Sequence, residues 1–135
     1  MNATVRQLLD TADLLVADSG EVTVIPAVPV PAQATATTTN RCRGAAFALR
    51  IALESTVAQR LTADGAPPAI SAGTQRAAFL WLRGCVDVTT ARRAKAVWSQ
   101  LCLGCHYHQY EIGPTPDQIR VWATEVAAIV ALLAP

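Results

Sequence analysis

Apolar residues return every three or four positions along most of the chain, and in the longest interruption they alternate with proline instead. Val5, Leu8, Leu9, Ala12, Leu15 and Val16 share one face of a helix predicted over about residues 4–18, with Asn2 or Thr4 to cap it and Gly20 to stop it. The stretch "EVTVIPAVPVPAQATATTTN", residues 21–40, forbids a helix where Val and Pro alternate and predicts extended backbone. Within it Val22 and Val24 suit a short edge strand, and Ala32 to Asn40 read as a linker or loop. Helical spacing resumes at Arg41. Ala46, Leu49, Leu53, Val57 and Leu61 face one way, with Phe47 and Ile51 beside them, in a helix that ends before "DGAPPAISAG".

Thr74 offers a cap for the third helix, whose Phe79, Leu80, Trp81 and Leu82 are apolar nearly all round, the pattern of a buried helix. Thr89 or Thr90 opens a fourth, with Ala94, Val97, Trp98 and Leu101 inward and Arg92, Arg93 and Lys95 outward. The last helix has the clearest start: Thr115 caps, Pro116 takes the first helical position where its missing N–H costs nothing, and Gln118 completes a capping box. Ile119, Trp122, Val126, Ile129 and Leu133 then recur in 3-4-3-4 spacing, a seam that fits either a bundle core or an interface between two copies of the chain. About two heptads are too few for an autonomous coiled coil, which favours the core. The pattern predicts an all-α single domain over residues 1–135, a compact bundle of about five helices with an extended Pro-rich loop between the first two.

Composition adjusts this picture in three places. The chain of 135 residues is long enough to bury a core without disulfides or metal. Only 5% of it is aromatic, so closely approaching Ala-rich helices should be anchored by Phe47, Phe79, Trp81, Trp98 and Trp122. The net charge of +1 excludes a protein that coats nucleic acid by bulk charge. The N-terminal stretch carries Asp10, Asp13 and Asp18 among its apolar residues, unlike a secretory leader, and the run from Val121 to Leu133 is short of a bilayer span and holds Thr124 and Glu125. The expectation is a soluble cytoplasmic chain without a membrane partner, in which cysteines are free thiols or metal ligands.

"CLGCHYH", residues 102–108, gathers two of the four cysteines and both histidines. Four chemistries compete for it. Cys102, Cys105 and His106 satisfy C-x-x-C-H, the attachment motif of c-type haem, but no methionine beyond the first residue is present as a distal ligand and nothing marks export. A redox dithiol wants the positive end of a helix dipole, whereas Cys102 ends a helix. Zinc would be held by Cys102, Cys105 and His108, with Gly104 easing the backbone around it and Cys85, His106 or the distant Cys42 as the fourth donor. Finally, the residues would simply pack, cysteine behaving as a small hydrophobe. Catalysis finds no support: Cys105 and His106 are adjacent and diverge, and Asp87, Glu111, Asp117 and Glu125 form no evident pair.

A second segment, "CVDVTTARRAKAV" over residues 85–97, resembles locally the turn and recognition helix of helix-turn-helix proteins. The resemblance implies Thr89 and Thr90 as phosphate contacts and Arg92, Arg93 and Lys95 as groove-facing side chains; Cys85 and Trp81 depart from it, standing where Gly and Ala are usual. The expectation that best fits the whole chain is a small binding or regulatory protein acting through another protein or a second copy of itself. DNA-binding regulation and an atypical haem protein are the alternatives.

Overall fold

The computed structural model describes residues 1–17, 32–106 and 113–135. Among these described residues six helices follow one another: α1 (Ala3–Ala17), α2 (Ala32–Ala63), α3 (Pro68–Ser71), α4 (Gln75–Cys85), α5 (Val88–Cys105) and α6 (Pro116–Leu133). No strand occurs among the described residues, and no helix there is long and apolar enough to cross a membrane. The fold is an all-α bundle. The predicted strand at Val22 and Val24, and the proline-alternating part of the loop, lie outside the described residues.

α2 is the axle. It packs against all five other helices, and its buried residues, among them Cys42, Ala45, Ala46, Ala48, Leu49, Ala52, Leu53, Val57 and Leu61, point to several sides rather than to one stripe. Alanines at the contacts let neighbouring backbones approach, and the leucines fill the space between layers. The helix begins at Ala32, well ahead of the expected start at Arg41. Pro31 is the last proline of the segment, and after it Ala alternates with Thr, which costs a helix only a few tenths of a kcal/mol per residue. The expected loop over 32–40 is therefore helical.

The neighbours of α2 follow the pattern unevenly. α6 behaves as its spacing predicts: the capping box forms in both directions, with Gln118 N–H donating to Thr115 Oγ1 at 3.2 Å and Thr115 N–H to Gln118 Oε1 at 3.0 Å. Ile119, Val126, Ile129 and Leu133 are buried and Trp122 is half-buried, all within this one chain. The seam considered as an interface between copies is thus internal core. In α4, by contrast, only Ala78, Phe79 and Leu82 are buried, while Leu80 is 56% and Trp81 42% exposed. α4 has neighbours on one side only, α2, α3 and α5, so the expected all-round burial does not arise. Phe47, another expected anchor, is 51% exposed and lies beneath the Arg50 guanidinium, which sits 5.1 Å from its ring centroid.

Two local corrections position the candidate sites. Beyond the end of α2, Pro68 starts the one-turn α3, a helix the spacing does not announce, since a first-turn proline loses no hydrogen bond. α5 is capped by Asp87 rather than by Thr89 or Thr90: its carboxylate accepts from Thr90 N–H at 2.9 Å and from Thr90 Oγ1 at 2.6 Å. The helix also runs on through Cys105 instead of ending at Cys102.

Candidate functional site

The two thiols of "CLGC" lie three residues apart in the last turn of α5, which sets them on one side of the helix, their Cβ atoms about 5–6 Å apart. Both are half-buried against α2, opposite Arg50 and Glu54. Burial pushes both thiols up from their ordinary pKa, and the Arg50 guanidinium draws each part of the way back. Glu54 is held from two sides, accepting from Trp98 Nε1 at 2.9 Å and standing 3.6 Å from Arg50 Nε. That Arg50 Nε atom is buried and has no hydrogen-bond partner. The helix C-terminus places its carbonyl ends beside the thiols, so the dipole opposes thiolate, as the sequence suggested.

Gly104 serves a purpose other than backbone freedom around an ion. It is helical, and a Cβ there would meet Trp122 Cζ3 at 3.0 Å and Ala46 Cβ at 3.5 Å, so the missing side chain is what lets the indole of α6 lie against α5. His106 caps α5 and lines a cavity of about 510 Å³ with Arg43, Gln100, Gln118 and Trp122. Neither Cys102 nor Cys105 lines that cavity.

The other expected ligands do not converge on the pair. Cys85, at the end of α4, is near Asp64 and Arg60, and its carbonyl accepts from Arg60 Nη2 at 3.3 Å. Arg60 stands ten residues beyond Arg50 on α2, roughly 15 Å along the axis. Cys42 is buried on α2 toward α6, where the charge of Arg120 acts on it. His108 lies outside the described residues. No group of three or more His, Cys, Asp or Glu side chains suited to a metal ion occurs among the described residues. The acids considered for catalysis are engaged elsewhere: Asp87 caps α5, Asp117 accepts from Arg120 at 2.7 Å, and Glu125 binds Arg93; Glu111 lies outside the described residues.

The α4–α5 face departs from the helix-turn-helix resemblance in its details. Only Val86 and Asp87 separate the two helices, fewer than the three or four residues of that motif's turn. Thr90 is buried and bonded to Asp87, so it is not open to a phosphate; Thr89 is exposed. Arg93 turns to α6, where Nε and Nη2 donate to both oxygens of Glu125 at 2.8 and 2.9 Å, an arrangement that holds the Glu125 carboxyl below its usual range. Arg92 and Lys95 do project outward. With Arg83 of α4 they line a cavity of about 180 Å³ whose remaining walls are Phe79 and Ala91. Among the described residues none of these three cations pairs with a carboxylate. Nothing in the α4 pattern, which looks wholly buried, singles out Arg83; Phe79 is the buried anchor its spacing predicts and also floors the cavity. Arg50 escaped it because an i,i+4 Arg–Glu pair on a helix is ordinary and nothing in its spacing links it to residues 102–105. Comparison with the known protein families, with curated proteins and with solved structures gives no match.

Proposed function

We propose that this chain is a binding protein, acting without catalysis, whose α4–α5 face docks an acidic segment of a partner protein. One observation carries the reading: Arg83, Arg92 and Lys95 come from two helices to surround a cavity with an apolar floor of Phe79 and Ala91, and among the described residues no acid pairs with any of them. The charge distribution supports it. Residues 65–110 hold Arg76, Arg83, Arg92, Arg93 and Lys95 against Asp87 alone, while the rest of the chain is acidic on balance, so the small net charge conceals a one-sided field. Leu80 and Val88, 56% and 50% exposed, lie on α4 and at the start of α5, giving a partner apolar contact as well as charge. Aliphatic anchors ringed by Arg and Lys suit a short amphipathic helix bearing Asp or Glu, with its apolar side chain over Phe79.

Duplex DNA is a poorer occupant, since the same face commits Thr90 and Arg93 internally and offers apolar residues where a phosphate backbone wants donors. The decisive experiment is fluorescence anisotropy with a synthetic helical peptide carrying glutamates around a leucine, set beside its lysine-substituted counterpart and a labelled duplex. The wild type is expected to bind the acidic peptide alone, less tightly as salt rises, and an Arg92→Glu, Lys95→Glu double variant is expected to lose it. Equal binding by wild type and double variant, or preference for the duplex, would overturn the reading.

A further inference from the structure

At the other end of α5 the two thiols and Arg50 form a second arrangement, independent of the docking face. We infer that Cys102 and Cys105 form a two-sulfur site for a soft monovalent ion, copper(I), with Arg50 as its charge partner. The donor set points to the ion. Zinc asks for four ligands, usually completed by further Cys or His, and the described residues bring no third donor to this pair. Soft thiolates select copper(I), and a closed-shell monovalent ion is satisfied by two of them. The helix sets the spacing: with Cβ atoms about 5–6 Å apart, modest side-chain rotation brings both sulfurs within bonding distance of one ion between them.

Arg50 makes the case specific to this chain. Two thiolates around one monovalent cation leave a single negative charge, which a half-buried site must neutralise. The guanidinium beside both thiols supplies the opposite charge and already reaches Cys102, and its Nε, buried without a hydrogen-bond partner and 3.6 Å from Glu54, keeps a donor in reserve. Glu54, itself steadied by Trp98, holds the guanidinium through the 3.6 Å ion pair to Nε, and Phe47 stacks under it; the Glu54 carboxylate also acts on both thiols and opposes their ionisation, which the bound cation has to offset. Binding is a ligand exchange without change of oxidation state: each thiol gives its proton to solvent, two copper–sulfur bonds form, and copper leaves its previous ligands.

The test is an anaerobic titration of reduced protein with copper(I) held by a chromophoric chelator. The wild type is expected to take one equivalent, and Cys102→Ser and Cys105→Ser each to abolish uptake, while Cys42→Ser and Cys85→Ser leave it unchanged. Arg50→Gln is expected to weaken binding by about tenfold at unaltered helix content, the usual scale for a partner that acts through the ligands. Alkylation of the wild type mapped by mass, with and without copper(I), gives a readout free of substitutions: protection is expected at Cys102 and Cys105 only. Uptake that survives loss of both cysteines, protection elsewhere, or tighter retention of zinc(II) in the parallel titration would each overturn the inference.

Discussion

α4 and α6 make an instructive pair. Both open on a threonine cap, with Thr74 accepting from Ala77 N–H and Thr115 from Gln118 N–H, each at 3.2 Å. Both are rich in large apolar residues. Yet α6 buries Ile119, Val126, Ile129 and Leu133 of its 3-4-3-4 seam and half-buries Trp122, its exposed Val121 and Leu132 lying off that seam, whereas α4 leaves Leu80 and Trp81 in contact with solvent. The difference lies in what surrounds them. α6 is laid against α1, α2 and α5, which cover a broad stripe; α4 occupies a corner, and three apolar residues suffice to fix it there. A helix with more apolar residues than its neighbours can cover has surface left for a partner.

The comparison breaks most readily in the core. Ile129→Ala in α6 should cost about 2–5 kcal/mol in urea unfolding, because a fully covered side chain leaves a cavity. Since that seam is internal, the loss should appear as unfolding of a monomer with no dependence on protein concentration. Gly104→Leu should follow at about 1–3 kcal/mol, because the added side chain drives into the Trp122 ring where α5 meets α6. Cap removal comes next. Thr115→Ala should cost about 1 kcal/mol, and Thr74→Ala less, since the α4 cap lacks the reciprocal glutamine.

Acid titration gives a smaller signal. The Glu125 carboxyl is held low by Arg93, so this pair contributes stability that is present above the unfolded carboxyl value of about 4.3 and is lost as pH falls through the lower folded value. Glu125→Gln should remove that part of the slope of thermal midpoint against pH in the acid range. The smallest effect on stability should come from Leu80→Ala, within about 0.5 kcal/mol of wild type, together with weakened binding of the acidic peptide. A large loss of stability there would mean that the exposed face of α4 serves folding rather than docking.

What the sequence disclosed depended on whether a pattern was local. The capping box, the seam of α6 and the core face of α2 are set by residues within a turn or two of each other, and periodicity finds them. The start of α2 was obscured because threonine's modest helix preference hides a stretch that nothing forbids from being helical. Burial of Phe47 and Trp81 depends on how many elements surround a position, which no short window contains. The same holds for the candidate sites: the cysteine spacing was visible at once, but Arg50, fifty-odd residues earlier, and the meeting of Arg83 with Arg92 and Lys95 arise only when helices are laid side by side.

Lys95 stands on the rim of the α4–α5 cavity and is the only lysine among eleven basic side chains. Apart from the chain's α-amino group it is therefore the single primary amine. Arginine neighbours keep their charge through acylation, so one acetyl group transferred to this nitrogen lowers the charge of the rim without touching the fold. A fluorophore coupled through the same amine, with the α-amino group blocked, would report occupancy of that rim. A surface otherwise written in arginine has one chemically addressable position, and it lies where a partner is proposed to arrive.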